Sequence, residues 1–375
     1  MTTCSDPASH SQPSRLAVLY SHPGSYTRAC LSELKLAYDW EILAIHYLKS
    51  TEAPFAEEPL QGIAECVARS KFSRPQEIVD RICSFGADIV LMSGWMDKGY
   101  LAAARLLKRQ GIPVVAGSDT QFTGSLRQWL AARAAPWYLH PAIDVLWVTG
   151  ERQRQLAWRL GYRGDRCWTG MYGCDHERFA AAGAYAGERE PCFLYVGRYV
   201  EAKGLDILLE AYAGYRKKTS RPWKLLCAGA GPLKGLLHGQ PGVEDLGFVQ
   251  PEELPPLMAR CGAFVLPSRK EPWGVVVQEA AAAGLPVICS DAVGAAVHLV
   301  QDHHNGFTFA NGAAAELAER LAKISAMSAE RRAAMAEAGR ELARQYTPGR
   351  WARTLVEGYA GIKAAARTQQ LSIEP

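Results

Sequence analysis

The chain has no apolar run long enough to cross a bilayer, no Cys-x-x-Cys pair and no block of like charge. A spanning helix needs about 20 consecutive apolar residues, so the first absence argues against one. The second argues against a zinc site, since the ten cysteines are scattered from Cys4 to Cys289 and none has ligand spacing. Cys227 and Cys289 fall in strand-like apolar runs, where a thiol behaves as a small hydrophobe. That usage suits a reducing cytoplasm. The net charge of +4 is small for 375 residues and argues against a nucleic-acid partner. The basic residues are spread along both halves, so no membrane-facing patch is legible, and peripheral contact with a membrane stays open. Residues 1–14 are polar, lack the apolar core of a signal peptide and read as a disordered N-terminus.

What is present is a folded composition, 48% hydrophobic and 21% charged, with room for two domains. Strand-like runs at 15–20, 41–47, 88–92, 113–116 and 145–149 alternate with helical patterns, among them 75–85 and 98–109. A second series runs through 193–197, 224–228, 243–246, 263–266 and 286–289, with a helix over 205–217. Alternation of this kind predicts βαβ units and parallel sheets. The fold class is therefore α/β, with two doubly wound Rossmann-like domains facing a central cleft. Residues 15–175 form the first domain and 190–346 the second, and the Ala-, Gly- and Glu-rich stretch 180–189 reads as a linker. Helical patterns follow at 313–325 and 328–346. Thr347-Pro348-Gly349 breaks the pattern, and 351–366 then carries Trp351, Leu355, Tyr359 and Ile362 on one face. Ligands of such sheets sit at the carboxyl ends of the strands, and between two domains the cleft is the default site.

Three segments of the second series converge at that edge. In Lys270-Glu-Pro-Trp-Gly-Val-Val-Val-Gln-Glu, Glu271 lies on a loop and Glu279 about one turn inside a helix. Gly274, Val275 and Val276 open that helix, so its unpaired N–H groups and positive dipole end share space with Glu271. An anion site beside two carboxylates suits a ligand with phosphates and sugar hydroxyls; two solvated glutamates on an ordinary strand–loop–helix unit are the plainer alternative. The segment Gly197-Arg-Tyr-Val-Glu-Ala-Lys203-Gly204 offers two cations on a Gly-bounded loop. It is either a diphosphate grip or a solvated turn. Ala228-Gly229-Ala-Gly-Pro follows a strand and is a nucleotide loop or a tight turn. Gly247-Phe248-Val249 follows another and would border a base with its backbone.

These segments, with Pro267-Ser-Arg-Lys-Glu-Pro-Trp-Gly, Gly284-Leu-Pro-Val-Ile and Asp302…Asn305-Gly306-Phe307, resemble in order and spacing the donor-binding half of the retaining glycosyltransferases of family 4. The resemblance covers residues 193–310 and implies the GT-B fold, with the last helix (351–366) returning to the first domain. It also implies roles. Arg198 and Lys203 would hold the donor diphosphate and neutralise the leaving group without a metal. Glu271 would bind hydroxyls of the transferred sugar, Gly274, Val275 and Val276 would meet sugar and phosphate by backbone, and Glu279 would grip the ribose. Neither glutamate is then cast as a hydrolase acid or nucleophile. No Asp-x-Asp occurs in the chain, and no cofactor is expected beyond the nucleoside-diphosphate sugar as co-substrate.

The first half departs from the family pattern. It has Ser21-His22-Pro23-Gly24-Ser25 where members often have Gly-Gly, and Ser118-Asp119 where many have His-Asp. The usual hinge is replaced by Gly170-Met-Tyr-Gly-Cys-Asp175. His22, Gly24, Trp95 and Asp119 are the residues expected on the acceptor and sugar side. The implied activity is metal-independent transfer of a sugar, with retention, to a glycan, lipid-linked or small-molecule hydroxyl. A GT-B sugar-nucleotide epimerase and a catalytically silent sugar-nucleotide binding protein are the alternatives.

Overall fold

A computed structural model describes residues 14–47, 60–184 and 189–371. Of the polar N-terminus, residues 1–13 lie outside the described residues, as do 185–188 of the expected linker. The first sheet contains β1 (Arg15–Tyr20), β2 (Glu41–His46), β3 (Glu65–Ala68), β4 (Ile89–Met92), β5 (Val114–Ser118), β6 (Val145–Val148) and β7 (Cys167–Thr169). Their order is β3-β2-β1-β4-β5-β6-β7, every pair parallel. The helices of this half are α1 (Ser25–Tyr38), α2 (Pro75–Phe85), α3 (Lys98–Arg109), α4 (Leu126–Tyr138) and α5 (Glu151–Arg159), followed by α6 (His176–Ala184). β1, β4 and β6 are buried along nearly their whole length. Strands covered on both faces need unbroken apolar runs, and these have them.

The second sheet contains β8 (Glu190–Val196), β9 (Lys224–Ala228), β10 (Val243–Gly247), β11 (Cys261–Leu266), β12 (Val287–Ser290) and β13 (Gly306–Phe309), in the order β10-β9-β8-β11-β12-β13 and again parallel. Its helices are α7 (Leu205–Lys218), α8 (Leu254–Arg260), α9 (Val275–Ala282), α10 (Ala296–Leu299), α11 (Ala314–Ser325) and α12 (Ala329–Ala343). Both sheets reverse direction beside their first strand. That places a switch point at the carboxyl ends of β1 and β4 in one half and of β8 and β11 in the other.

The last helix, α13 (Pro348–Leu371), leaves the second half and packs on α1. Trp351 stacks on Trp147 with centroids 4.9 Å apart, and Tyr359 meets Trp40 edge-on at 5.7 Å. Both rings of α13 are buried in the core under the first sheet. The break at residues 347–349 narrows to Thr347, because Pro348 begins α13, where its missing N–H costs nothing.

One sequence expectation is corrected. Residues 180–184 are not linker but the end of α6, which buries Phe179 and packs on α8 and α9. Arg189 is anchored too, donating to the carbonyls of Met258, Cys261 and Ala283. An Ala-rich stretch carries little amphipathic signal, and tertiary contact made it helix. The strands β3, β7 and β13 were also not anticipated; each has only three or four residues.

Candidate active site

Four loops at the carboxyl edge of the second sheet are tied together by their backbones. Gly229 N–H donates to Gly247 O at 2.7 Å, Tyr199 N–H to Ala230 O at 2.8 Å and Lys270 N–H to Ala202 O at 3.1 Å. Gly204 has φ +68°, and a Cβ there would stand 2.1 Å from Pro267 O. A side chain at this position would thus push the Lys203 loop away from the Glu271 loop. The predicted cation loop, Gly-x-Gly turn and glutamate loop therefore form one assembly.

Glu271 lies at its centre and is 7% exposed. Its Oε2 accepts from Lys203 Nζ and, at 3.3 Å, from Ser268 Oγ. Its carbonyl accepts from Gly294 N–H at 3.0 Å and from Gln121 Nε2 at 2.9 Å. The last bond crosses from the other half of the chain. Gly274, with φ +97°, caps α9 without a side-chain bond. The first N–H groups of α9, including those of Val275 and Val276, thus have no intrahelical acceptor. Arg198 is exposed on the same turn as Lys203, and Phe248 and Val249 are half-buried beyond the end of β10.

Glu279 is 9% exposed. Burial, and secondarily the charge of Asp175, raises its carboxyl from 4.5 to about 7. It lines a cavity of about 440 Å³ between the halves, with Tyr26 and Arg28 of α1, Asp175, Glu252 and Pro348. Glu271 is not part of that lining.

From the first half the structure brings Asp119 to the cleft. Its carboxyl is held above the usual range, mainly by burial and also by the like charge of Glu271, while a bond from Tyr172 opposes the rise. Tyr172 Oη donates to Asp119 Oδ2 at 3.3 Å, and its ring meets Tyr26 edge-on at 5.0 Å. Gly24 caps α1, and a Cβ there would meet the Tyr26 ring at 2.8 Å. His22 is exposed, its ring 6.0 Å from that of Tyr47. Trp95 is half-buried and packs against the core of the first half, so at least part of the ring is committed to packing.

Sequence reasoning missed Ser268, Gln121 and Tyr172. Ser268 stands inside a motif segment that was recognised, three residues before Glu271. Gln121 had no local signal: only folding brings it to Glu271, Pro272 and Ala292, whose carbonyls all accept from its Nε2. Gln153 adds a further bond to Pro272 O, and Arg152 Nη1 reaches Asp291 O at 2.7 Å.

This arrangement can be set beside known proteins. Residues 182–342 match the family model of glycosyl transferases group 1. Among curated relatives, an uncharacterised glycosyltransferase of Methanocaldococcus jannaschii is 35% identical over 124 residues, 31% of each chain. A GDP-mannose-dependent alpha-(1-6)-phosphatidylinositol monomannoside mannosyltransferase of Mycobacterium tuberculosis is 33% identical over 170 residues, 41% of this chain and 43% of that one. The matches thus span less than half the length of these relatives. Likeness in structure is wider. A glycosyltransferase from Rickettsia africae superposes with a TM-score of 0.75 at 14% identity, over 94% of this chain and 99% of that one. An Anabaena protein crystallised with UDP and glucose gives 0.72 at 18%, over 92% and 99%. The fold is GT-B, with two Rossmann-like halves.

Proposed function

We propose that the protein is a cytoplasmic, metal-independent, retaining glycosyltransferase that moves a sugar from a nucleoside diphosphate to an acceptor hydroxyl. The observation that carries this reading is the buried Glu271 carboxylate, paired with Lys203 beside the uncapped N-terminus of α9. A helix N-terminus and a lysine suit a diphosphate; a carboxylate between them suits sugar hydroxyls. The group 1 match over the same residues and the transferase names of the relatives support it.

On this reading donor binding exchanges the Lys203–Glu271 ion pair for two ligand contacts. Lys203 and Arg198 turn to the diphosphate and Glu271 to the transferred sugar. The leaving diphosphate gains charge as the glycosidic bond breaks, and the two cations with the α9 amides stabilise it. The acceptor attacks on the face that the diphosphate leaves, which preserves configuration without an enzymic nucleophile. Glu279 takes the ribose hydroxyls, with Gly229, Phe248 and Val249 around the nucleoside. Residues 15–175 with the 351–366 helix supply the acceptor side, where Asp119 faces the sugar and His22, Gly24 and Trp95 border the acceptor.

A thermal-shift screen against UDP-, GDP-, ADP- and dTDP-sugars tests donor binding, since a site ligand raises apparent stability by mass action. A time course of donor consumption with and without acceptors then tests transfer. Binding without turnover on any acceptor would assign the protein to silent sugar-nucleotide binding. Failure to bind any of the donors would remove the reading.

A further inference from the structure

Helix α4 turns its apolar face outward. Leu126, Trp129, Leu130, Arg133 and Trp137 recur at helical spacing on one side of it. Trp137 is 79% exposed, Leu126 74%, Leu130 60% and Trp129 48%. The opposite side carries Ala135, the helix's one buried residue, and Gln128, which donates to Gln121 O at 2.7 Å. Eleven large hydrophobic side chains are exposed among the described residues. Six lie between Leu126 and Trp158, including all the exposed tryptophans. Isolated exposed apolar residues are ordinary, but a concentrated face is the mark of an interaction surface.

Cations are interleaved with these rings. The Arg159 guanidinium lies 4.0 Å from the Phe122 ring centre and 4.6 Å from that of Trp129. Arg154 lies 5.2 Å from Trp158, and Arg105 5.2 Å from Tyr138. Arg127 and Arg133 are exposed on α4 itself. No acidic residue occurs between Asp119 and Asp144, and residues 98–166 hold eleven Lys and Arg against four Asp and Glu. The remainder of the chain is net negative, so the basic character resides in this region.

We propose that α4, with the exposed side of α5, docks on an anionic lipid surface. Trp and Tyr rings favour the headgroup level, leucines enter the acyl boundary and arginines pair with lipid phosphates. A second copy fits less well, because a two-fold contact would set Arg127 and Arg133 near their own counterparts with no acid between. None of the described helices is long and apolar enough to cross a membrane, so the contact is one of docking. The loop that enters α4 carries Asp119 and Gln121, and docking therefore holds the cleft next to the lipid surface.

Co-sedimentation with phosphatidylcholine vesicles, with and without phosphatidylglycerol, tests the proposal without any readout of sugar transfer. The protein is expected to sediment with the phosphatidylglycerol vesicles, less so as salt rises, and not with phosphatidylcholine alone. Leu130→Glu/Trp137→Glu is expected to lower the bound fraction about tenfold while circular dichroism and Tm stay unchanged, because both side chains point outward. Arg127→Glu/Arg133→Glu is expected to lower it as well. No sedimentation with phosphatidylglycerol vesicles, or equal sedimentation of wild type and both variants, would overturn the proposal. So would a lipid-free dimer in analytical ultracentrifugation that Leu130→Glu/Trp137→Glu abolishes, which would give this face to a second copy.

Discussion

In the second half, Glu271 and Glu279 are almost wholly removed from solvent, and Glu271 is fixed by Lys203, Ser268, Gly294 and Gln121. In the first half His22 is exposed on the loop after β1, and Trp95 leans on its own core. The groups proposed for the donor side are thus held in place by loops locked to one another through their backbones. That is the preorganisation needed where charge develops. The groups proposed for the acceptor side, His22 and Trp95, sit on the loops after β1 and β4, and loops of this kind set specificity. Asp119 is held in the cleft by Tyr172 and burial.

The largest effect should come from Glu271→Gln. It keeps the size of the side chain but removes the charge that faces the sugar on the proposed reading, and we expect turnover to fall about a hundredfold or more. Circular dichroism should be close to wild type, while Tm should fall because the largely buried Lys203 ammonium loses its charged partner. His22→Ala, assayed in parallel, should change turnover far less; equal losses in the two variants would end the contrast between the halves.

Two glycines sharpen the same contrast in stability. Gly204 and Gly124 both have positive φ, but a Cβ at Gly204 would strike Pro267 O whereas one at Gly124 meets nothing within 4 Å. Gly204→Ala should cost about 3 kcal/mol in urea denaturation and Gly124→Ala about 1 kcal/mol. Equal costs would show that the loops around Glu271 are not locked as described.

Glu279 provides a pH test. Its carboxyl titrates near 7 in the folded chain against 4.5 ordinarily. The folded state then binds more protons than the unfolded one between these values, so this group makes stability fall as pH rises from about 4.5 to 7. Glu279→Gln should remove that slope and raise stability above pH 7 by on the order of 2 kcal/mol, with little change at pH 4. A variant that is less stable than wild type at pH 8 would contradict the burial argument. On the proposed ribose role, the same variant should also bind donor more weakly.

The smallest effect concerns the contact between the halves. Glu151 N–H, at the start of α5, donates to His298 Nε2 at 3.1 Å, so a residue of the second half caps a helix of the first. Burial lowers the His298 pKa, with Arg154 and Arg152 acting in the same direction and Glu151 opposing. Its contribution is present above the ordinary imidazole range and is lost as pH falls through the lowered value. His298→Ala should cost about 1 kcal/mol at pH 8 and less at acid pH, as followed by thermal melts.

The sequence by itself determined the βαβ alternation, most strand and helix positions and the segments that meet at the carboxyl edge of the second sheet. These are local signals: apolar runs, helical spacing, and glycines whose backbones must turn or approach closely. It also separated the half that matches a family pattern from the half that departs from it. Only tertiary structure decided that α6 is helix, because its Ala-rich sequence takes its order from α8 and α9. Only tertiary structure brought Gln121 to the Glu271 carbonyl and Tyr172 to Asp119, contacts between residues 150 and 53 positions apart. The outward turn of α4 was equally hidden, since its pattern shows that apolar residues share a face but not which way that face points. Side-chain spacing is a property of the chain, whereas burial, and the pKa values and contacts that follow from it, depends on what the rest of the fold places opposite.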